Sequence, residues 1–192
     1  MSATQSTMMA LGTSAPNFKL PDVLGSPISL EHYVDQPLLI VFMCNHCPYV
    51  KHIRSGFLLL VRQYQQKGVG IVGINSNDAD AFPEDSPDKM LADSIKFAYS
   101  FPYLYDETQE VAKAYRAACT PDFFLFTKDK KLFYRGQMDD SRPGNGIPVT
   151  GKDLRLALDA VLLGVPALAA QKPSIGCNIK WKPGNGPDYF SP

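Results

Sequence analysis

The chain lacks most of the features that commit a sequence to a function at first sight. It has no surplus of charge: 19 Lys and Arg stand against 19 Asp and Glu, for a formal net charge of zero. A nucleic-acid or acidic-membrane partner therefore gets no electrostatic support. No apolar run approaches the ~20 residues that a membrane-spanning helix needs. Met1 to Ala10 has neither a basic segment nor a long apolar stretch, so it does not read as a secretory signal, and a cytoplasmic location is expected. No internal repeat is found. Four cysteines in a reducing compartment point to catalysis or metal binding before structural bridges. What remains, 192 residues with 45% apolar and 20% charged, is ordinary globular composition, enough for one domain with a tail.

One stretch breaks this plainness: Met43-Cys44-Asn45-His46-Cys47-Pro48. It follows the apolar run Pro37 to Phe42 and precedes an amphipathic pattern, with Val50, Ile53, Phe57, Leu60, Val61 and Tyr64 on one helical face. A Cys-x-x-Cys at a strand-to-helix junction is the pattern of a redox pair. The helix N-terminus favours a thiolate there, and Pro48 fits the first turn, where no N–H is needed. Half of a zinc site, completed by His46, His52 or Cys119, is the rival reading, but no second ligand pair stands at zinc spacing. Pro48 stands where a haem-attachment motif requires His. No cofactor and no metal are expected.

Residues 1–11 are expected to be a flexible N-terminus, 12–165 one domain, and 166–192 a Pro/Gly-rich tail, irregular and packed on the domain. Gly12 to Tyr33 reads as a β-hairpin. Leu38 to Met43 is a doubly covered strand, Pro48 to Lys67 a helix and Val69 to Asn75 the parallel partner strand. This places the Cys pair at the carboxyl end of a strand, where open α/β sheets keep their sites. Ser76 to Pro87, with its Asp and Glu clusters, reads as a solvated loop. Helices are expected over Asp88 to Ser100, with Met90, Ile95, Ala98 and Tyr99 inward, and over Glu107 to Ala118, capped by Asp106, with Val111, Ala114 and Tyr115 inward. Phe123 to Phe126 and Lys131 to Gln137 read as paired strands, and Lys152 to Leu163 as the last helix.

This order resembles the thioredoxin arrangement. Gly12-x-x-Ala15-Pro16-x-Phe18-x-Leu20 is similar to the opening of peroxiredoxins and related thioredoxin-fold reductases. Cys44 to Cys47 resembles the thioredoxin active site, and Thr120-Pro121 stands where that family keeps its cis-proline. Further blocks are similar to a peroxiredoxin-like subgroup, related to alkyl hydroperoxide reductase and thiol-specific antioxidant proteins. They are Phe82 to Pro87, Tyr103 to Gln109, Tyr134 to Gln137 and Gly176 to Trp181. The resemblance implies an α/β, thioredoxin-like fold: a central mixed β-sheet flanked by helices, with the hairpin and the tail as additions.

The activity it implies is thiol–disulfide exchange through Cys44 and Cys47, acting on protein or small-molecule thiols and disulfides with an electron donor the sequence does not name. A homodimer is left open. His46 would tune the thiols. By the same resemblance Pro121 is cis, and Thr120 offers its backbone to an extended substrate. Cys119, beside that turn, is the candidate auxiliary thiol, with a small buried hydrophobe as its plain alternative. Cys177 has no partner at motif spacing; it could pair with Cys119 or resolve at a distance, and by default it is structural.

Two departures bear on the chemistry. The peroxidatic Pro-x-x-x-Thr-x-x-Cys of peroxiredoxins, aligned on Cys47, finds Ile40 and Cys44 in place of Pro and Thr, and Arg116 is the nearest Arg to the expected anion-binding position. Thioredoxin's buried carboxylate has no counterpart on the strand, where Leu38 or Val41 stands. The alternatives kept are a peroxidase using Cys47 with Cys44 resolving, and a metal- or partner-binding module of Cys44, His46 and Cys47.

Overall fold

The computed structural model describes residues 3–190. In chain order its elements are β1 (Ala3–Gln5), β2 (Lys19–Pro21), β3 (Pro27–Ser29), β4 (Leu38–Phe42), α1 (Pro48–Gln65), β5 (Gly70–Asn75), α2 (Pro87–Lys96), β6 (Tyr103–Tyr105), α3 (Glu110–Ala114), β7 (Cys119–Thr120), β8 (Asp122–Phe126), β9 (Leu132–Gly136), α4 (Lys152–Leu163) and β10 (Ile175–Asn178). Short 3-10 turns cover Leu30–Tyr33 and Pro83–Asp85.

The central sheet has the order β6-β5-β4-β8-β9. β4, β5 and β6 are parallel, and β8 runs antiparallel to both of its neighbours, β4 and β9. β4 is buried along its whole length because both faces are covered. Side chains alternate across a strand, so Leu39 and Val41 join a core with α1 and α4, while Leu38, Ile40 and Phe42 join a second core with Ala112 and Tyr115. The six apolar residues read along α1 are its buried face. The hairpin forms as β2 and β3, with Asp22 Oδ1 accepting from the N–H groups of Leu24 and Ser26 across the turn.

Other elements differ from the sequence reading. The helix expected over Glu107 to Ala118 is only Glu110–Ala114. Arg116 takes a left-handed conformation (φ 51°) that halts it, and Ala112 rather than Ala114 is the buried alanine. The N-cap residue is Gln109 rather than Asp106, although the Asp106 carboxylate still accepts from the first-turn N–H of Ala112 at 2.9 Å. In α2 only Met90 is fully buried; Ile95 is exposed. Tyr103–Tyr105, unassigned from sequence, adds to the sheet beside β5.

The largest difference is at the two ends. The segment expected to be a flexible N-terminus carries β1, and the tail expected to be irregular carries β10. They pair antiparallel, and β10 also pairs with β7, giving a second sheet of order β1-β10-β7. The tail thus runs beside Thr120, close to the Cys motif. Gly176 is what allows this approach: a Cβ built there would clash with the carbonyl of Thr120. Because that obstacle is backbone, Gly176→Ala should lower the unfolding free energy by about 1–3 kcal/mol. Urea denaturation followed by circular dichroism would read this as an earlier midpoint, and an unchanged midpoint would contradict the tight seating of β10.

Candidate active site

Two strand ends and one helix start converge on the motif. Cys44 lies just beyond β4, and Cys47 is the N-cap of α1, with Pro48 in the first turn. Both sulfurs are buried. Both also meet Thr120. Cys44 Sγ is 3.5 Å from its hydroxyl, and the Cys47 thiol donates to its carbonyl at 3.1 Å. The Thr120–Pro121 peptide is cis.

The backbone of Thr120 is not left open to a substrate. Ile179 N–H donates to the carbonyl of Ala118, and the register pairs Cys177 with Thr120 two residues along. In an antiparallel ladder hydrogen-bonded pairs alternate, so Cys177 and Thr120 form such a pair. The tail therefore fills the edge that the resemblance reserves for an extended peptide. The same register sorts the remaining thiols. Cys177 shares a face with Thr120, whereas Cys119 faces Asn178 and points the other way, its sulfur 3.7 Å from the Pro121 carbonyl. Cys177, not Cys119, is the thiol whose proximity lowers the pKa of Cys47.

These contacts set the charge. Cys47 receives hydrogen bonds from Cys177 first and then from Cys44; against the cost of burial these, with the Thr120 hydroxyl and the Val50 N–H, hold its pKa well below the ordinary thiol value. The Thr120 carbonyl favours the protonated form, but it is one acceptor among several donors. The donors pay in the opposite sense: Cys44 is raised by giving its proton to Cys47, then by burial and by the charge of Asp85. Cys177 is raised by donation to Cys47 and by burial. Burial, helped by Asp122, pushes Cys119 up as well. Among the four thiols Cys47 is the one whose pKa is lowered, and so the one that most readily gives up its proton.

Asp85 is the residue that the sequence reading missed. Its loop reads as solvated, yet the carboxylate is fully buried. It accepts from the Asn45 N–H at 2.8 Å, from His46 Nδ1 at 2.6 Å and from the Asn77 side chain at 2.7 Å. Asn45 is pinned further by Tyr103 Oη at 3.1 Å and by its own amide donating to Glu84 O. A buried carboxylate thus does stand beside the thiols, supplied by a loop rather than by the central strand. The only trace in sequence is that Glu84-Asp85 lies within the Phe82 to Pro87 block. His46 stacks on Phe82, and its charge is matched by Asp85 instead of being free to act on a thiolate.

Asp85 raises the pKa of His46 by hydrogen bonding, against burial. Burial alone would raise Asp85, but His46, Asn77 and the Asn45 N–H outweigh it and bring the carboxyl below its usual value. One donor atom each from Cys44, His46 and Asp85 lies within 4.8 Å of the others, the spacing of a metal-ligand set. Both oxygens of Asp85 already accept hydrogen bonds, however, so an ion would displace the His46 pair. His52, weighed as a ligand from sequence, is bonded to Ser141 through Nε2. Arg116 sits over Tyr189 and 4.0 Å from Asp188.

Residues 11–135 match the model of the AhpC/TSA family. The thiol-disulfide oxidoreductase ResA of Geobacillus thermodenitrificans is 27% identical over 129 residues, covering 67% of this chain and 70% of that protein. A crystal structure of an uncharacterized conserved protein from Geobacillus kaustophilus is 56% identical, with a TM-score of 0.94 over 96% of this chain and 98% of the other. The thioredoxin domain of a thiol-disulfide oxidoreductase from Bacteroides vulgatus shares the fold at 16% identity, with a TM-score of 0.59 over 78% of this chain and 99% of that one. The fold is thus the thioredoxin fold, with a central mixed sheet flanked by helices.

The His46–Asp85 pair makes stability depend on pH from both sides. With its folded pKa raised above 6.5, His46 contributes fully below that value, and the contribution is lost as pH rises through the folded pKa. With its pKa depressed below 3.8, Asp85 contributes above that value, and its share is lost as pH falls through the folded pKa. Asp85→Asn should lower the pKa of His46, read by NMR titration of its ring protons. It should also lower the pKa of the Cys44 thiol, read from the pH dependence of alkylation. A His46 titration identical in wild type and variant would contradict the pairing.

Proposed function

The chain belongs to the AhpC/TSA family, and within it we propose that it works as a thiol–disulfide oxidoreductase through Cys44 and Cys47. The observation that carries this reading is the meeting of both sulfurs on Thr120 beside a cis-proline, at 3.5 and 3.1 Å. The relatives named for thiol–disulfide exchange support it.

The charge distribution orders the steps. Cys44 passes its proton to the Cys47 thiolate and attacks one sulfur of a substrate disulfide. A Cys44–substrate bond forms, and the first substrate thiolate leaves and takes the proton from Cys47. Cys47, again a thiolate, attacks Cys44 Sγ. The Cys44–Cys47 disulfide forms and the second substrate thiolate leaves. Two electrons pass from the dithiol to the substrate; run backwards, the same steps oxidise a substrate dithiol. A separate thiol donor must reduce the protein again. Protein and small-molecule disulfides are the substrate class.

One observation favours a second reading, peroxide reduction through Cys47 with Cys44 resolving: Cys47 is the thiol whose pKa is held below the ordinary value. Against it, Ile40 is buried in β4 between Val72 and Phe124, Cys44 stands at the Thr position, and Arg116 is engaged elsewhere.

Two experiments separate these readings. With Cys47→Ser, a mixed disulfide between Cys44 and a model substrate such as glutathione disulfide should accumulate, visible by intact mass. Cys44→Ser should lose disulfide-reductase turnover; full activity in that variant would refute the dithiol mechanism. Stopped-flow mixing of reduced protein with hydrogen peroxide should show slow oxidation, whereas rapid formation of a Cys47 sulfenic acid that survives Cys44→Ser would establish the peroxidase.

A further inference from the structure

Cys177 is far from the motif in sequence and has no role in the exchange just described, yet it is built into the same core as Cys44 and Cys47. Three independent features hold it there. β10 is anchored on both edges, by β1 and by β7. The register sets Cys177 opposite Thr120, whose carbonyl lies 3.1 Å from Cys47 Sγ. Gly176 lets the strand close onto Thr120 at a distance that no side chain would allow. Partners in a hydrogen-bonded antiparallel pair have Cα atoms about 5.5 Å apart, so the side chain of Cys177 starts directly over the residue that both motif sulfurs touch. It is 2% exposed.

We propose that Cys177 is a third redox thiol, and that the oxidised protein exchanges between two forms, one with a Cys44–Cys47 disulfide and one with a Cys47–Cys177 disulfide. The inference rests on the dithiol reading above. Its step is an internal exchange. Cys177, as thiolate, attacks Cys47 Sγ of the Cys44–Cys47 disulfide. The Cys47–Cys177 bond forms, the Cys44–Cys47 bond breaks, and the proton lost by Cys177 is taken up by Cys44. No electrons enter or leave, so no further oxidant is needed once a substrate disulfide has oxidised the motif. In the reduced protein Cys177 is already packed in one core with Cys44 and Cys47, on the strand paired with Thr120.

The consequence is a division of labour among the thiols. The oxidising equivalents move inward, onto the pair formed with the tail, and Cys44 becomes a free thiol again. Cys47 is the sulfur common to both disulfides, in keeping with its contact to the carbonyl of Thr120, the residue that Cys177 faces across the strand pair. Cys119 takes no part, because the strand alternation turns it away from this cluster.

The test uses the full chain, reduced and then titrated with glutathione disulfide, quenched with an alkylating agent and mapped after trypsin without reduction. Cys44 and Cys47 lie on one tryptic peptide, with no Lys or Arg between them, and Cys177 lies on another. A cross-link between these two peptides is therefore unambiguous. The expected result is that the cross-linked pair appears together with the internal Cys44–Cys47 loop, and that Cys177→Ser loses the cross-link while keeping the loop. In Cys44→Ser the cross-link should fail to form, since the exchange starts from the Cys44–Cys47 disulfide; in the wild-type cross-linked pair, peptide fragmentation should find the alkyl group on Cys44 and the bond on Cys47, and the reverse would assign the bond to Cys44 and overturn the proposal. If the loop forms while Cys177 is recovered fully alkylated throughout the titration, the third thiol is refuted and the dithiol reading stands. If neither disulfide forms, both fail.

Discussion

Thr120 is the point on which the site depends. Its hydroxyl meets Cys44 and its carbonyl meets Cys47. Its main chain pairs with the tail strand, and the peptide that follows it is cis. One residue therefore fixes the position of both thiols relative to the sheet and ties the C-terminal tail to them. The constraint reaches outward. β10 can lie against Thr120 only because Gly176 has no side chain, and β1 covers the outer edge of β10. β1 and β10 are thereby both drawn into the scaffold around Cys44 and Cys47.

The second organising feature is the management of charge in a buried place. A thiolate and a carboxylate lie close together, and each is costly there without partners. Asp85 is satisfied by His46, Asn77 and the Asn45 N–H, and Cys47 by thiol, hydroxyl and helix N–H donors. The His46–Asp85 pair is nearly neutral as a unit, so the negative charge on Cys47 is held by its own hydrogen bonds rather than by an imidazolium. The sequence position of His46 between the cysteines suggests direct tuning of a thiolate; the geometry gives the histidine a role in anchoring the loop that carries Asp85.

What could be read from sequence follows from how local the determinants are. β4, α1 and the placement of the Cys motif between them are written in a short stretch: a continuous apolar run, a Cys-x-x-Cys, a first-turn proline and a helical apolar stripe. The cis-proline and the family followed from blocks of residues that keep their order. Asp85 was illegible because its own surroundings are polar; its burial is created by Asn45, His46 and Asn77, which come from other segments. Cys177 was illegible for a similar reason. Nothing in a Pro/Gly-rich tail announces that Ile175–Asn178 will pair with a two-residue strand before a proline, and that pairing alone decides that Cys177 rather than Cys119 faces the motif. The third helix was read too long because its apolar spacing continues past Arg116, where a left-handed backbone ends it.

The AhpC/TSA family frame and the thioredoxin fold thus carry a dithiol that is closely enclosed, with a carboxylate on one side and a thiol-bearing strand on the other. The central claim is that Cys44 and Cys47 form a reversible redox couple. It is tested most directly by equilibrating the protein with reduced and oxidised dithiothreitol at a series of ratios and quantifying the Cys44–Cys47 disulfide. The account predicts a reversible two-electron titration, changing tenfold for each ~30 mV. A disulfide fraction that does not follow the dithiothreitol ratio, or that forms and cannot be reduced, would contradict it.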